Sequence, residues 1–490
     1  MSLLKAENFI DGQFETTLNY LDSYEPATGK VWAQIPDSDE TVVDKAVKAA
    51  QKAFPAWKNL GVNQRAKYLL DAADVLMSRL DEFAVAEARD QGKTVKAAKT
   101  VDIPLTAVHL RTFATGNCHL LETSNEMPEY GVINYSTRNP VGVAGLISPW
   151  NFPLYLLSFK IAPALMSGCT VVCKPSETTS VTTWMLCKVF QDVGLPKGVL
   201  NLVHGLGSKA GEALVQHPDV KAISFTGSTP VGRHIARVAA PMMKKISLEL
   251  GGKNAALVFA DADFGQAIQG LIGGAFLNQG EVCLATSRIY VQDSIFDKFL
   301  QTFAHVASNL KVGDPNDPET FLGALNSKAH LEKVIKYAKL AKEEGGTIHC
   351  GFGCGKSLDL PTHLEKGYFF PPTVVSNLPK DSRCMKEEIF GPIVCFEKFS
   401  SEEEAIELAN SVEYGLCASV WSQNVGTIHR VSAELEVGTV WNNCWLIRSY
   451  HMPFGGCKQS GVGRESIKHS LETFTNEKTV CIKIKGPLPF

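Results

Sequence analysis

Ala222-Ile223-Ser224-Phe225-Thr226-Gly227-Ser228-Thr229-Pro230-Val231-Gly232 passes from an apolar strand, through a glycine turn, into the first turn of a helix. Apolar and β-branched residues precede the turn, while hydroxyl residues and a proline follow it. The same texture extends to both sides. Short apolar runs stand at 142–147, 170–173, 199–203, 222–225 and 246–250, with helix-like stretches at 154–166, 181–193, 209–215 and 231–243. This alternation implies βαβ units and a doubly wound parallel sheet, an α/β fold. Such sheets hold ligands beyond the carboxyl ends of their strands. A second alternating series starts after Asn254, with strands at 255–259 and 289–291 around a helix at 264–277. It runs to about residue 454 and reads as a second α/β domain.

Outside this core the first hundred residues read as mainly helical. Apolar spacing marks one helix at 41–53 (Val42, Val43, Val47, Ala50) and another at 65–85 (Leu69, Leu70, Ala73, Val75, Leu76, Leu80). Both read as packing helices without chemistry. The stretch 129–137 and the tail 478–484 alternate like exposed strands. The tail reads as an unpaired edge, which points to a subunit contact.

A chain of 490 residues exceeds what one core supports, so two or three domains are expected. The 45% apolar and 20% charged composition is that of a globular protein, and a net charge of −3 argues against nucleic acid as a partner. Residues 1–14 lack the apolar run of a signal peptide, and no segment holds the roughly 18 apolar residues of a membrane span, so a cytoplasmic location without a membrane partner is expected. Thirteen scattered cysteines, an odd number, read as reduced thiols. Cys350 and Cys354 have no second Cys/His pair to complete a ligand set, so no metal is expected.

Chemistry is suggested by Leu248-Glu249-Leu250-Gly251-Gly252-Lys253, with Cys283 following 34 residues after Glu249. A thiolate attacks carbonyl carbons, and a carboxylate activates water to release the acyl group. Alone the pair says little. The loops beyond the strands add to it. The helix start at Gly227-Ser228 suits an anion. Gly205-Leu206-Gly207-Ser208-Lys209-Ala210-Gly211 approaches the dinucleotide fingerprint but has one residue too many before its last glycine. Lys174 and Glu177, just past a strand end, suit the hydroxyls of a ribose; a carboxylate there repels a 2′-phosphate and favours NAD over NADP. A plain charged turn is the other reading. Asn151, between aromatic residues and stiffened by Pro149 and Pro153, is either an oxyanion donor or a buried structural amide.

Taken together the loops resemble the aldehyde dehydrogenase superfamily, over essentially the whole chain. The matching motifs are Pro149-Trp150-Asn151-Phe152-Pro153, Lys174-Pro175-Ser176-Glu177, Phe225-Thr226-Gly227-Ser228, Glu249-Leu250-Gly251-Gly252-Lys253, Cys283 with Thr286-Ser287-Arg288, Glu387-Glu388-Ile389-Phe390-Gly391-Pro392 and Pro453-Phe454-Gly455-Gly456. The resemblance implies Cys283 as nucleophile, Glu249 as general base and Asn151 as oxyanion donor beside the Cys283 N–H. It implies NAD, with Lys174 and Glu177 at the adenosine ribose and Ser228 and Gly207 near the pyrophosphate and adenine. Glu388 and Phe390 fall at the nicotinamide ribose and ring. Ile147, Trp150, Ser176, Gly211, Phe225, Gly227, Val231, Leu250 and Gly251 are the further cofactor contacts it implies. It also implies a Rossmann-type NAD domain (1–116 and 140–250), an α/β catalytic domain (251–460) and a small β oligomerisation element (117–139 and 474–490), in homodimers or homotetramers. The implied reaction oxidises an aldehyde to a carboxylic acid through a thiohemiacetal and a thioester.

Within the superfamily, Trp441-Asn442-Asn443-Cys444-Trp445-Leu446-Ile447-Arg448 is similar to the 2-aminomuconate semialdehyde dehydrogenase group, aldehyde dehydrogenase family 8. A guanidinium at Arg448 suits the distal carboxylate of such a substrate; an outward-facing loop charge is the other reading. The group's arginine after Asp-Ile-Pro is replaced here by Leu105, and Leu105, Phe152, Tyr155, Phe159 and Phe454 would make the tunnel apolar. Two further readings stay open: the same chemistry on an apolar aldehyde such as retinal, and a non-catalytic protein that keeps the fold.

Overall fold

The computed structural model describes residues 3–120, 122–354 and 358–486. The outermost residues of the expected segments 1–116 and 474–490, residue 121 within 117–139 and residues 355–357 within 251–460 lie outside these. Five parallel strands form the heart of the first sheet: β1 (Val143–Ile147), β2 (Thr170–Lys174), β3 (Leu200–Leu202), β4 (Val220–Thr226) and β5 (Lys245–Glu249). They lie in the order β5-β4-β1-β2-β3. Every residue of β1 and β2 is buried, as expected when helices cover both faces. The chain leaves β1 toward β2 and later returns to β4 on the opposite side. The loops after β1 and β4 therefore flank the crevice where strand order reverses.

The second sheet holds β6 (Asn254–Val258), β7 (Thr286–Gln292), β8 (Thr373–Ser376), β9 (Ile393–Phe399), β10 (Cys417–Trp421) and β11 (Thr439–Asn442). These six run parallel in the order β8-β9-β7-β6-β10-β11, with Thr347–Cys350 antiparallel outside β8. Both alternating series expected from the sequence are thus present.

The start of the chain is a correction. Short strands at Leu4–Lys5, Asn8–Ile10, Gln13–Glu15, Tyr20–Glu25 and Lys30–Pro36 precede the first helix. Asn8–Ile10 is buried at all three positions and pairs with β3, so it shows no alternation for a sequence pattern to register. Helix Glu40–Asn59 follows, started by Asp39, whose carboxylate accepts the Thr41 and Val42 N–H groups. The single helix expected over 65–85 is two, Val62–Ser78 and Leu80–Gln91. The tail is also corrected: Thr475–Lys483 pairs antiparallel with Val132–Pro140, from Thr475↔Pro140 to Lys483↔Val132. Only its outer side is an open edge, and Ser124–Met127 completes the three-stranded sheet. Among the described residues no helix is long and apolar enough to cross a membrane.

Candidate active site

The loops after β1 and β4 meet residues from the second sheet around a cavity of about 280 Å³. Trp150, Asn151, Gly227, Ser228, Leu250, Gly251, Cys283, Glu388 and Phe390 share its wall. Ser228 stands at the start of helix Thr229–Ala239 with no side-chain cap, so its hydroxyl and the first-turn N–H groups are open to an anion. Ile147 and Phe225 are buried beneath, at the ends of β1 and β4. Val231 is 45% exposed on the helix and stands away from the cavity.

A second group lies past β2. Lys174 Nζ, buried, pairs with Glu177 Oε2 at 3.2 Å, and burial pulls the ammonium down against that carboxylate's pull. Gly207 and Gly211 bound one wide π-helical turn, and a side chain at Gly211 would come within 3.8 Å of Lys174 Cδ. The Ser176 hydroxyl meets that of Thr178 at 3.2 Å. A carboxylate and an ammonium past one strand, with an anion-ready helix start past another, fit the two ends of a dinucleotide.

Cys283 occupies the loop between helix Phe264–Phe276 and β7. Three consecutive left-handed residues lead into it: Asn278 (φ 52), Gln279 (φ 58) and Gly280 (φ 71). Burial pushes the Cys283 thiol up to about 12, the Glu388 and Glu249 carboxylates adding to this and Arg448 opposing it. Asn151 Nδ2 donates to the Glu281 carbonyl at 2.9 Å. An amide carries two such protons, so one remains for another acceptor.

Glu249 ends β5 and is buried, with neither carboxylate oxygen hydrogen-bonded. Burial, then repulsion from Glu465, holds its proton well above the usual carboxylate range, while Lys160, Arg448 and Arg464 work the other way. Glu388 is fixed by the Gly252 N–H at 2.9 Å. A side chain on Gly251 would meet that carboxylate and displace it from its present position.

On the far side of Cys283, Phe152, Tyr155 and Phe454 belong to one apolar cluster with it. Phe159 packs alongside, 5.7 Å from the Tyr450 ring. The Arg448 guanidinium faces these rings rather than bulk solvent, over Phe454, Phe159 and Tyr450. Leu105 is half-buried on helix Ile103–Asn117 and stands apart from the cluster around Cys283.

The description "Aldehyde dehydrogenase family" matches residues 14–480. The chain belongs to the aldehyde dehydrogenase family. It is 52% identical over 482 residues to the human 2-aminomuconic semialdehyde dehydrogenase, covering 98% of this chain and 99% of that one. It is 44% identical to the 2-hydroxymuconic semialdehyde dehydrogenase of Pseudomonas sp. (strain CF600), over 98% and 100% of the two chains. The NAD+ complex of the aldehyde dehydrogenase from Bacillus cereus superposes with a TM-score of 0.94 at 38% identity, covering 98% and 97%. This aldehyde dehydrogenase therefore uses NAD to oxidise an aldehyde, and the reading as a non-catalytic protein is set aside.

Several residues of the aldehyde dehydrogenase site were not legible. His330 and Lys333 line the cavity from helix Lys328–Glu343, far from any motif. His330 Nε2 donates to the Phe390 carbonyl at 2.7 Å, and burial lowers the ring to about 4, keeping it neutral. Glu281 was visible in the sequence beside Cys283 but carried no signal of its complete burial.

Proposed function

We propose that this enzyme oxidises an unsaturated semialdehyde bearing a distal carboxylate, on the pattern of 2-aminomuconate 6-semialdehyde. The observation that carries the reading is Arg448: its guanidinium is stacked on aromatic rings beside the Cys283 cluster, with no carboxylate within ion-pair distance among the described residues. A planar fork held this way is ready for a carboxylate supplied by a ligand.

Cys283 adds as thiolate to the aldehyde carbon, and the Asn151 amide with the Cys283 N–H holds the alkoxide; such a donor is worth about 3 kcal/mol. NAD, when bound, supplies the hydride acceptor. Lys174, Glu177, Ser228 and Glu388 would hold it, and Phe390 and Trp150, whose ring centroids are 5.3 Å apart, wall the cavity. Glu249 takes a proton from water to hydrolyse the thioester, and the acid leaves. The division into an NAD domain (1–116, 140–250), a catalytic domain (251–460) and an oligomerisation element (117–139, 474–490) belongs to the same proposal. The open, exposed edge of Thr475–Lys483 supports a homodimer or homotetramer. Thirteen free cysteines support a cytoplasmic location.

The side chains of Phe152, Tyr155 and Phe454 favour a second substrate, an apolar aldehyde such as retinal, because they form one apolar cluster with Cys283. Steady-state kinetics on matched aldehydes with and without the carboxylate decide between them. A higher kcat/KM for the carboxylated aldehyde is expected; equal values or preference for the neutral one transfers the assignment to the apolar substrate.

A further inference from the structure

Helix Leu80–Gln91 ends at a left-handed glycine, Gly92 (φ 103), and the turn there reaches both halves of the site. Gln91 Nε2 donates to Glu281 Oε2 at 2.7 Å, two residues before Cys283. Lys93 Nζ donates to the Asn151 carbonyl at 3.1 Å and lies 4.2 Å from the centroid of the Phe152 ring. The two grips are tied together, because Lys93 N donates to Gln91 Oε1 at 2.9 Å. Asn278 Nδ2 adds a bridge, reaching the Asn151 carbonyl at 3.0 Å and the Glu281 carbonyl at 3.2 Å.

Lys93 is completely buried and paired with Asp102. An apolar side chain of similar volume fills such a place without desolvating a charge, so packing alone does not account for a lysine. What the ammonium adds is a directed hydrogen bond to the backbone of Asn151. The free proton of the Asn151 amide points where two things send it: the position of its own backbone and the Glu281 carbonyl that takes the other proton. Lys93 fixes the first and Gln91, through the Glu281 carboxylate, steadies the second.

We propose that Gln91 and Lys93 are positioning residues that keep the Asn151 amide in register with Cys283 for oxyanion stabilisation. The proposal rests on the reading of Asn151 as the oxyanion donor. Displacing a donor costs less than deleting one, and deletion typically costs about a hundred- to a thousandfold in kcat.

The full-length enzyme is compared with Lys93→Met, Gln91→Met and Asn151→Ala by three measurements: NADH production, hydrolysis of p-nitrophenyl acetate, and alkylation of Cys283 by iodoacetamide. The first two pass through a tetrahedral alkoxide. Alkylation displaces iodide at carbon and forms no oxyanion. Lys93→Met and Gln91→Met are expected to lower kcat in both alkoxide reactions by about ten- to a hundredfold, with KM for NAD and the alkylation rate unchanged. Should Lys93→Met not fold, Gln91→Met, which removes no charge, carries the test. Unchanged kcat, or an alkylation rate that falls in step with kcat, overturns the proposal. An Asn151→Ala variant that keeps full esterase and dehydrogenase activity instead overturns the donor reading beneath it.

Discussion

The guanidinium of Arg448 lies over the ring of Phe454, its central carbon 3.8 Å from the ring centroid. Phe159 and Tyr450 stand at 5.3 and 5.6 Å. Arginine is weakly hydrated and stacks on aromatic faces, so the rings hold the fork without neutralising it. Its charge reaches the reacting groups, favouring the anionic forms of both Cys283 and Glu249. Replacement by methionine keeps the stacking volume and removes the charge. Arg448→Met is expected to lower kcat/KM for carboxylated aldehydes by about 10- to 150-fold, the equivalent of a charged hydrogen bond of roughly 1.5–3 kcal/mol. Neutral aldehydes should lose far less, and equal losses for both classes would remove Arg448 from substrate recognition.

Burial and two carboxylates push the Cys283 thiol up to about 12, so in the free enzyme it is protonated near neutrality. Only the thiolate is alkylated, and its population grows about tenfold per pH unit below the pKa. Iodoacetamide labelling of the cofactor-free enzyme should therefore accelerate steadily from pH 7 to pH 10. A plateau below pH 9 would place the thiol in a far more polar setting than the structure gives it.

Burial and then Glu465 raise Glu249 well above the usual carboxylate range, and only its ionised form can take a proton from water. Thioester hydrolysis should speed up as pH rises through this elevated pKa. Glu249→Gln should still release one NADH per active site in a rapid burst, with steady-state turnover then lower by about 10²–10⁴-fold and nearly flat with pH. Stopped-flow absorbance at the NADH band reads both phases. Loss of the burst along with the steady state would assign Glu249 to an earlier step.

Glu281 is raised to about 8 by complete burial, with bonds from Asn326 and Gln91 only partly opposing this. The folded chain keeps this proton up to about pH 8, whereas the unfolded chain releases it near 4.5, as an exposed glutamate does. Stability from this group is present at low pH and is lost as pH rises between those values. Glu281→Gln cannot titrate, so the Tm of the native enzyme minus that of the variant should fall from pH 5 to pH 8. Differential scanning calorimetry measures it, and a constant difference would show that Glu281 binds its proton equally in the folded and the unfolded chain over that range.

The doubly wound half was legible because strand and helix patterns alternate cleanly there, and each motif falls at a strand end. The order β5-β4-β1-β2-β3 then gathers those ends without further information. The strand Asn8–Ile10 was hidden because three buried residues show no period. Gln91 and Lys93 were hidden for another reason. Gln91 meets Glu281 across 190 positions of sequence, and neither residue sits in a pattern that announces a partner. The facing of Arg448 was equally unreadable, since a loop residue's orientation is decided by the rings that happen to surround it.

The three-stranded sheet closes by joining Thr475 to Pro140, residues separated by most of the polypeptide. During synthesis Val132–Pro140 must wait, one side unsatisfied, until Thr475–Lys483 has been made. Completion of this sheet is thus a late stitch in assembly, and a chain stopped short of Thr475 would carry an exposed, adhesive ribbon.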